Sequence, residues 1–186
     1  MYKNEKEFLK AYNPEDFERL SMTADIMVLS VSSYESNNYR KTDEKHMSVL
    51  LVKREDYPFK DKWCFPGGFV GINENLDDAP IRILKNETNL SDIYLEQLYT
   101  NGEVNRDPRM RVISTSYIAL VDKNRLEGKL KDNASWFDIR ILEEKDIIDI
   151  YLTNKSKEIH IKIKRILKEH TTDRYAFEVL ENKDGL

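Results

Sequence analysis

A continuous segment that joins a short strand, a glycine pair and an amphipathic helix constrains the fold of this chain most strongly. It covers residues 63–90 and reads WCFPGGFVGINENLDDAPIRILKNETNL. Asp77 and Asp78 can cap a helix, and Asn89 can adopt the left-handed conformation that ends one. The apolar residues between them fall near helical spacing. The segment therefore predicts a strand–loop–helix unit with its helix over residues 76–89.

Most of the remaining chain is predicted to form short strands. Residues 159–164 alternate strictly between isoleucine and a polar residue, which predicts a half-buried strand that residues 147–153 and 174–181 can join in a meander. Because helices interleave irregularly with strands, the pattern predicts an α+β fold with a mixed sheet and few helices. Apolar runs bounded by polar residues predict the other strands at 24–34, 47–54, 93–103, 111–121 and 134–139, and residues 64–70 are predicted to join a short strand to a Gly-Gly turn.

The N-terminal stretch and the first long loop are more polar. Charged residues surround a few apolar ones in residues 3–20, which predicts short helical turns that are broken near Pro14, with Asn13 as a cap. Residues 35–45 are polar and predict a loop between two strands.

Composition and charge narrow the classes of function. The chain has 186 residues, of which 40% are hydrophobic, so it can bury a sizeable core. A formal net charge of -4 argues against a nucleic-acid surface that covers the whole chain. No run of about 18 apolar residues occurs, so no membrane span is predicted. Cys64 is the only cysteine, which excludes an intrachain disulfide and favours a reducing, cytoplasmic location.

The spacing of three residues in the central segment carries a family resemblance. Five residues separate Gly68 from Glu74, and seven more separate Glu74 from Arg82. Together with the preceding Pro-Gly-Gly and the following helix, this spacing resembles the Nudix (MutT-like) signature, Gly-x5-Glu-x7-Arg-Glu-U-x-Glu-Glu-x-Gly-U, where U is a bulky aliphatic residue. The resemblance implies a Nudix fold, in which a curved mixed β-sheet is sandwiched between helices and residues 68–90 form the Nudix box.

The resemblance also suggests how the chain is divided. Residues 1–22 would form an N-terminal helical segment, and residues 23–141 a Nudix-like domain. Residues 142–186 would form a C-terminal β-rich extension, which is expected to be a linker to a winged-helix domain if the native protein is longer.

The box departs from the family at the positions that hold metal. In the family, three glutamates of Arg-Glu-U-x-Glu-Glu share one helix face and bind Mg²⁺ or Mn²⁺, which neutralises a diphosphate and activates water. The corresponding residues here are Ile83, Asn86 and Glu87, so two of the three carboxylates are replaced. The resemblance therefore implies Glu87 as the catalytic residue and Glu87 with Glu74 as metal ligands. Binding of Mg²⁺ or Mn²⁺ is expected to be weakened.

The charged box residues also have structural interpretations. Arg82 can orient the box loop through hydrogen bonds, with Glu74 as a partner of the loop rather than a metal ligand. Glu87 can bind a weak metal or pair with Arg82 across the junction of helix and loop.

The loop and its aromatic neighbours leave further alternatives open. Gly71 stands where the family usually has a carboxylate. Asn73 replaces a usual glycine, and it can preserve the backbone geometry through a positive φ. Trp63, Phe65 and Phe69 can pack in the core or stack on a ligand.

The segment after the box refines the resemblance. Residues 92–120 are similar to ADP-ribose pyrophosphatase-like proteins and Nudix-related transcriptional regulators, through Tyr-Leu-Glu-Gln-Leu-Tyr and then Arg-Asp-Pro-Arg-Met-Arg-Val-Ile-Ser. Arg106, Arg109 and Arg111 suit phosphate oxygens, with ligand contact favoured less for Arg111, and Asp107 can accept from ribose hydroxyls. Equally, these residues can form a rigid turn held by Arg–Asp pairs. The candidate ligand-binding residues are Arg54, Gly67, Gly68, Phe69, Arg106, Asp107 and Arg109.

Three functions are consistent with these residues. The first is a sensor that binds ADP-ribose or a related nucleoside diphosphate, with lost or weak hydrolase activity. The alternative is an active Mg²⁺-dependent Nudix hydrolase that recruits carboxylates from elsewhere. The third is an interaction module whose site is vestigial. The resemblance implies a homodimer, and DNA is expected as a partner only if the full-length protein carries a winged helix.

Overall fold

The computed structural model describes residues 4–13, 15, 19–34, 44–126, 128–166 and 176–183. Two α-helices and ten strands follow one another in these ranges, with a short 3-10 helix at Lys123–Leu126. None of the described helices is long and apolar enough to cross a membrane. The elements are α1 Glu5–Ala11, β1 Ser21–Tyr34, β2 Glu44–Lys53, β3 Trp63–Cys64, β4 Gly67–Phe69, α2 Asp78–Thr88, β5 Glu96–Asn101, β6 Val112–Val121, β7 Ala134–Glu144, β8 Ile147–Thr153, β9 Glu158–Ile166 and β10 Ala176–Lys183.

The strands of the described residues form one mixed sheet. Its order is β10-β9-β8-β7-β2-β1-β6-β5, while β3 pairs with β2 and β4 pairs with β1. The β1–β6 pair is parallel, and the other pairs are antiparallel. This confirms the predicted α+β fold with a mixed sheet. The sheet continues without interruption through β7, across the predicted boundary at residues 141 and 142.

The central helix begins and ends close to the predicted residues. Asn89 has φ 65° and ends α2 in the left-handed conformation, as predicted. The predicted cap at Asp77 is wrong in its detail, because its side chain makes no capping hydrogen bond. The Tyr117 hydroxyl instead lies 3.4 Å from the Asp77 carboxylate. Asn73 is also not among the described residues with positive φ, which contradicts the expectation for that position.

The predictions for the two ends of the chain are partly confirmed. α1 is capped by Asn4, whose side chain accepts from the Glu7 amide at 2.9 Å, and Asn13 accepts from the Glu15 amide. The predicted break at Pro14 lies outside the described residues, as do residues 35–43 of the predicted polar loop. The C-terminal meander is present as β7 to β10, and β9 buries Ile159 completely.

Two hydrophobic clusters lie on opposite faces of the sheet. Leu50 belongs to one cluster and its neighbour Leu51 to the other, since side chains alternate along a strand. On the first face α2 packs through Ala79, Ile83 and Leu84. On the second face the cluster is formed by strand residues, including Phe137, Leu152 and Ile159. α1 buries no residue, so within the described ranges α2 supplies the helical layer.

Candidate functional site

The loop that precedes α2 is held by one bidentate ion pair. Arg82 Nε and Nη2 donate to the two carboxylate oxygens of Glu74 at 2.6 and 2.7 Å. Arg82 Nη2 also donates to the Phe69 carbonyl at 2.9 Å, and the Gly71 amide donates to Glu74 at 2.9 Å. The two hydrogen bonds from Arg82, followed by the one from the Gly71 amide, lower the pKa of Glu74 to about 2. The geometry favours the structural interpretation of both Glu74 and Arg82.

The residues that replace the family glutamates lie in two different environments. Ile83 is 3% exposed and packs against Gly68, where an added Cβ would lie 3.4 Å from Ile83 Cγ1. Asn86 and Glu87 instead line a cavity of about 220 Å³. We call it the box cavity, and its walls are Val52, Lys53, Arg54, Glu55, Asp56, Cys64, Gly67, Asn86, Glu87, Lys131 and Asn133.

The donor set around α2 does not suit a resident divalent cation. Hard cations such as Mg²⁺ need several oxygen ligands, usually including carboxylates. Ile83 has no donor, Asn86 offers a neutral amide, and the Glu74 oxygens are held by Arg82 and Gly71. In the part of the chain that the structure describes, no three His, Cys, Asp or Glu side chains are grouped to hold a metal. The predicted pairing of Glu87 with Arg82 is also not seen, since Arg82 binds Glu74.

A second cavity brings together all of the predicted ligand-binding residues. It has a volume of about 460 Å³ and adjoins the box cavity, with which it shares Arg54, Cys64 and Gly67. We call it the arginine cleft. It is lined by Thr23, Asp25, Arg54, Cys64, Phe65, Gly67, Gly68, Phe69, Asn101, Arg106, Asp107, Arg109, Ser114 and Ser116. These residues come from β1, the β2–β3 loop, β3 and the turn after it, β4, the end of β5, the segment between β5 and β6, and β6 itself.

The turn between β5 and β6 fixes one arginine of the cleft. Asp107 accepts from Arg109 Nε at 3.0 Å and from Arg109 Nη2 at 2.8 Å, and also from the Arg109 amide. Arg109 therefore lowers the pKa of Asp107 to about 2, with a smaller contribution from the charge of Arg106. The guanidinium carbon of Arg109 lies 5.3 Å from the centre of the Phe69 ring. Asp107 is thus positioned to orient Arg109, and both residues still line the cleft.

Arg54 lies where the arginine cleft and the box cavity adjoin. Its Nε atom is buried and has no hydrogen-bond partner among the described residues. Burial raises the pKa of the neighbouring Cys64 thiol, while the charge of Arg54 opposes that shift and the charges of Glu87 and Asp25 add to it. A guanidinium with an unsatisfied buried donor is suited to bind an anionic oxygen.

The aromatic residues divide between core and cleft. Trp63 packs edge-on against Phe137 with ring centres 4.9 Å apart, as expected for a core residue. Phe65 and Phe69 are 40% and 44% exposed and line the arginine cleft. The core interpretation therefore holds for Trp63, whereas the other two side chains are available to a ligand. Arg111 does not line the cleft.

Sequence reasoning missed the polar residues that the strands contribute to the cleft. Thr23 and Asp25 are two residues apart and therefore lie on the same face of β1. Their partners on β6 are Ser114 and Ser116, respectively. The Ser114 hydroxyl donates a hydrogen bond to the Asp25 carboxylate. The available signal was the period-two placement of these polar residues in otherwise apolar strands.

Comparison with known proteins identifies the family. The model of the NUDIX domain matches residues 39–157, and the chain therefore belongs to the Nudix family. The match includes the box loop, α2 and strands β3 to β6, whereas β1, which supplies Thr23 and Asp25 to the cleft, precedes it.

The names of two curated relatives refer to ADP-ribose. The chain is 30% identical over 139 residues to the ADPR responsive transcriptional repressor NtrR of Acinetobacter baylyi, covering 73% of this chain and 51% of the repressor. It is 37% identical over 100 residues to an ADP-ribose pyrophosphatase of Methanocaldococcus jannaschii, covering 53% of this chain and 59% of that enzyme. The chain thus spans between half and three fifths of the length of these relatives.

Two solved structures are similar over most of the chain. A MutT/nudix family protein from Enterococcus faecalis has a TM-score of 0.65 and 29% identity, covering 85% of this chain and 58% of that one. The NUDIX domain of Shewanella oneidensis NrtR, solved with ADP ribose, has a TM-score of 0.55 and 28% identity, covering 72% and 82%. These similarities agree with the Nudix family and with a mixed sheet that carries the box helix.

Proposed function

We propose that this chain binds ADP-ribose or a closely related nucleoside diphosphate sugar and acts as a ligand sensor with weak or no hydrolase activity. The observation that carries this proposal is the arginine cleft, where Arg54, Arg106 and Arg109 line one cavity next to a box that retains a single metal-ligand glutamate. ADP-ribose recurs in the descriptions of both curated relatives and of the Shewanella oneidensis domain.

The charges of the cleft favour a diphosphate. Guanidinium groups donate to phosphate oxygens through planar, permanently charged forks. Three family glutamates would repel such a ligand unless a metal screened them, and two of these charges are replaced by Ile83 and Asn86. Binding is therefore expected to need no divalent cation.

Hydrolysis requires more than binding. Nudix hydrolases generally use a divalent metal that activates water. Ile83 is buried and offers no ligand, and Glu74 is held by Arg82. The groups that would hold an activating metal are thus depleted while the groups that attract the diphosphate are retained.

A specific observation favours the alternative of a hydrolase with recruited carboxylates. Asp25 lines the arginine cleft and Glu87 lines the box cavity, and Cys64 lies in the wall of both cavities. Two carboxylates therefore flank the junction of the arginine cleft and the box cavity. Glu87→Gln distinguishes the proposals, because it should abolish turnover by such an enzyme and leave ligand binding by a sensor largely intact.

The proposal extends to partners. We propose that the chain binds its ligand as a homodimer, which sedimentation with and without ADP-ribose would measure. DNA is a partner only if a longer native protein carries a winged-helix domain, as proposed from the family resemblance.

Isothermal titration of ADP-ribose, with and without Mg²⁺, tests the proposed function. Discrete heats that saturate and return to baseline in both conditions are expected for a sensor. A sustained heat after each injection, seen only with Mg²⁺, would show turnover and replace the proposal by the hydrolase. Arg125→Ala is a suitable control variant, since Arg125 is 85% exposed on the 3-10 helix and does not line the cleft.

A further inference from the structure

One carboxylate in the arginine cleft, that of Asp25, has no role in the proposed sensor. Asp25 lies on β1 in the cleft wall, and Ser114 is the only described residue that donates a hydrogen bond to it, at Oδ2. Asp25 forms no ion pair within the described residues, although Arg54, Arg106 and Arg109 line the same cavity. Asp25 is only partly buried, so its remaining acceptor is open to water in the cleft or to a donor on a bound ligand.

The neighbouring strand β4 has a glycine directly opposite Asp25. Asp25 pairs with Gly67 across β1 and β4. Any Cβ at position 67 would collide with Asp25 Oδ1, so glycine is required there while the carboxylate keeps its position. Gly67 itself lines both the arginine cleft and the box cavity. The acceptor that Ser114 leaves unused thus lies against the part of the wall shared by the two cavities.

The charge of Asp25 excludes one class of ligand group and favours another. A phosphate oxygen next to this carboxylate would be repelled, since both are acceptors and both are negative. A hydroxyl can donate to it, and hydrogen bonds to a charged acceptor are stronger than those between neutral groups. Among the parts of a nucleoside diphosphate sugar, the sugar hydroxyls are donors of this kind.

We propose that Asp25, oriented by Ser114, accepts a hydrogen bond from a sugar hydroxyl of the bound ligand and so determines specificity for a nucleoside diphosphate sugar. This inference rests on the proposed function of the cleft. The arginines bind the diphosphate, and Asp25 requires that a hydroxyl, rather than a further phosphate, lies beside β1.

A double-mutant cycle between protein and ligand tests this pairing. ADP-ribose and its deoxy analogues, each lacking one sugar hydroxyl, are titrated into the wild type and into Asp25→Ala without divalent cations. Asp25→Ala is expected to weaken ADP-ribose binding about tenfold. One analogue should bind the wild type about as weakly as ADP-ribose binds the variant, while the affinity of the variant for that analogue should not fall further. If every analogue weakens both proteins equally, the assignment is overturned.

Asp138→Ala is the matched control. Asp138 also accepts from a serine hydroxyl, Ser48 Oγ at 2.6 Å, but it does not line the cleft. The Asp138→Ala variant should bind ADP-ribose as the wild type does. An equal loss of ADP-ribose affinity in both variants would overturn the specific role of Asp25. An effect of Asp25→Ala that appears only with Mg²⁺ would overturn it too, because the carboxylate would then act through a cation. If the wild type itself does not bind ADP-ribose, the proposed function fails; if it binds and shows no coupling, this inference alone fails.

Discussion

The box loop with α2 and the arginine cleft are neighbours that have kept different parts of the family's chemistry. In the box, the contacts that fix the backbone remain, namely the Glu74–Arg82 pair and the left-handed Asn89, while two metal-ligand positions have become Ile83 and Asn86. In the cleft, the predicted ligand-binding residues still converge on one cavity. The two regions show that the contacts fixing the box loop and the arginine lining of the cleft are both present although two of the three box glutamates are replaced.

The physical reason lies in what each residue supports. Arg82 and Glu74 hold the loop in place, so their loss would disturb the wall of the cleft at Phe69, whose carbonyl Arg82 also binds. Ile83 adds apolar contact between α2 and Gly68. A carboxylate at that buried position would have to be solvated or bound to a metal. Replacement of the glutamate by isoleucine thus favours stability of the fold over metal binding.

The largest effect is expected from returning a glutamate to the buried position. Ile83→Glu should lower the free energy of unfolding by about 3 kcal/mol, because it places a charge in the first hydrophobic cluster. Chemical denaturation measures this change. Ile81→Glu is the matched control on the same helix, is 53% exposed, and should change stability by less than about 0.5 kcal/mol. Equal stability of the two variants would mean that the Ile83 position is already open to solvent or metal.

Removal of the Arg54 side chain should cause the next largest change, a loss of ligand affinity. Arg54→Ala is expected to weaken ADP-ribose binding roughly 10- to 100-fold, since it removes a charged donor at the junction of the two cavities. Calorimetric titration measures the affinity, with Arg125→Ala as the unchanged control. Undiminished affinity of Arg54→Ala would place the diphosphate elsewhere.

A negative charge introduced at the exposed position 86 of the box should weaken ligand binding by a smaller factor than the loss of Arg54. Asn86→Glu should weaken binding without metal about three- to tenfold, because it adds a negative charge to the box cavity. Added Mg²⁺ should recover part of the affinity. Asn86→Gln keeps the side chain neutral and is expected to bind as the wild type does. If Asn86→Glu binds equally well without metal, the phosphates do not lie near the box.

The smallest effect is expected on the pH dependence of stability. The pKa of Glu74 is about 2, below its ordinary 4.5, because Arg82 and Gly71 bind its charged form. Its contribution to stability is therefore complete above pH 4.5 and is lost as the pH falls toward 2. Glu74→Gln should be less stable than the wild type near neutral pH, and the difference should disappear in acid. Denaturation midpoints across this range measure it, and a difference that persists unchanged at pH 2 would contradict the ion-pair explanation.

Local patterns were predictable from the sequence, and long-range pairings were not. The helix over the box and the left-handed Asn89 follow from neighbouring residues, as does the alternation of Ile159 to Lys164. The Asp77 cap failed because Tyr117, from a distant strand, lies by the carboxylate. The role of Asp25 depends on the register that joins β1 to β4 and β6, and no local signal specifies that register. Arg54 and Asp107 were predicted through the family resemblance, whereas the geometry that orients Arg109 required the structure.

Phosphorus NMR of ADP-ribose with an equimolar amount of this protein and Mg²⁺ distinguishes binding from hydrolysis in one sample. For a sensor, the two diphosphate resonances are expected to shift or broaden on binding and to remain stable over hours. Their conversion into two phosphate monoester resonances, with Glu87→Gln preventing that conversion, would show that the box still supports hydrolysis and would contradict the proposed sensor function.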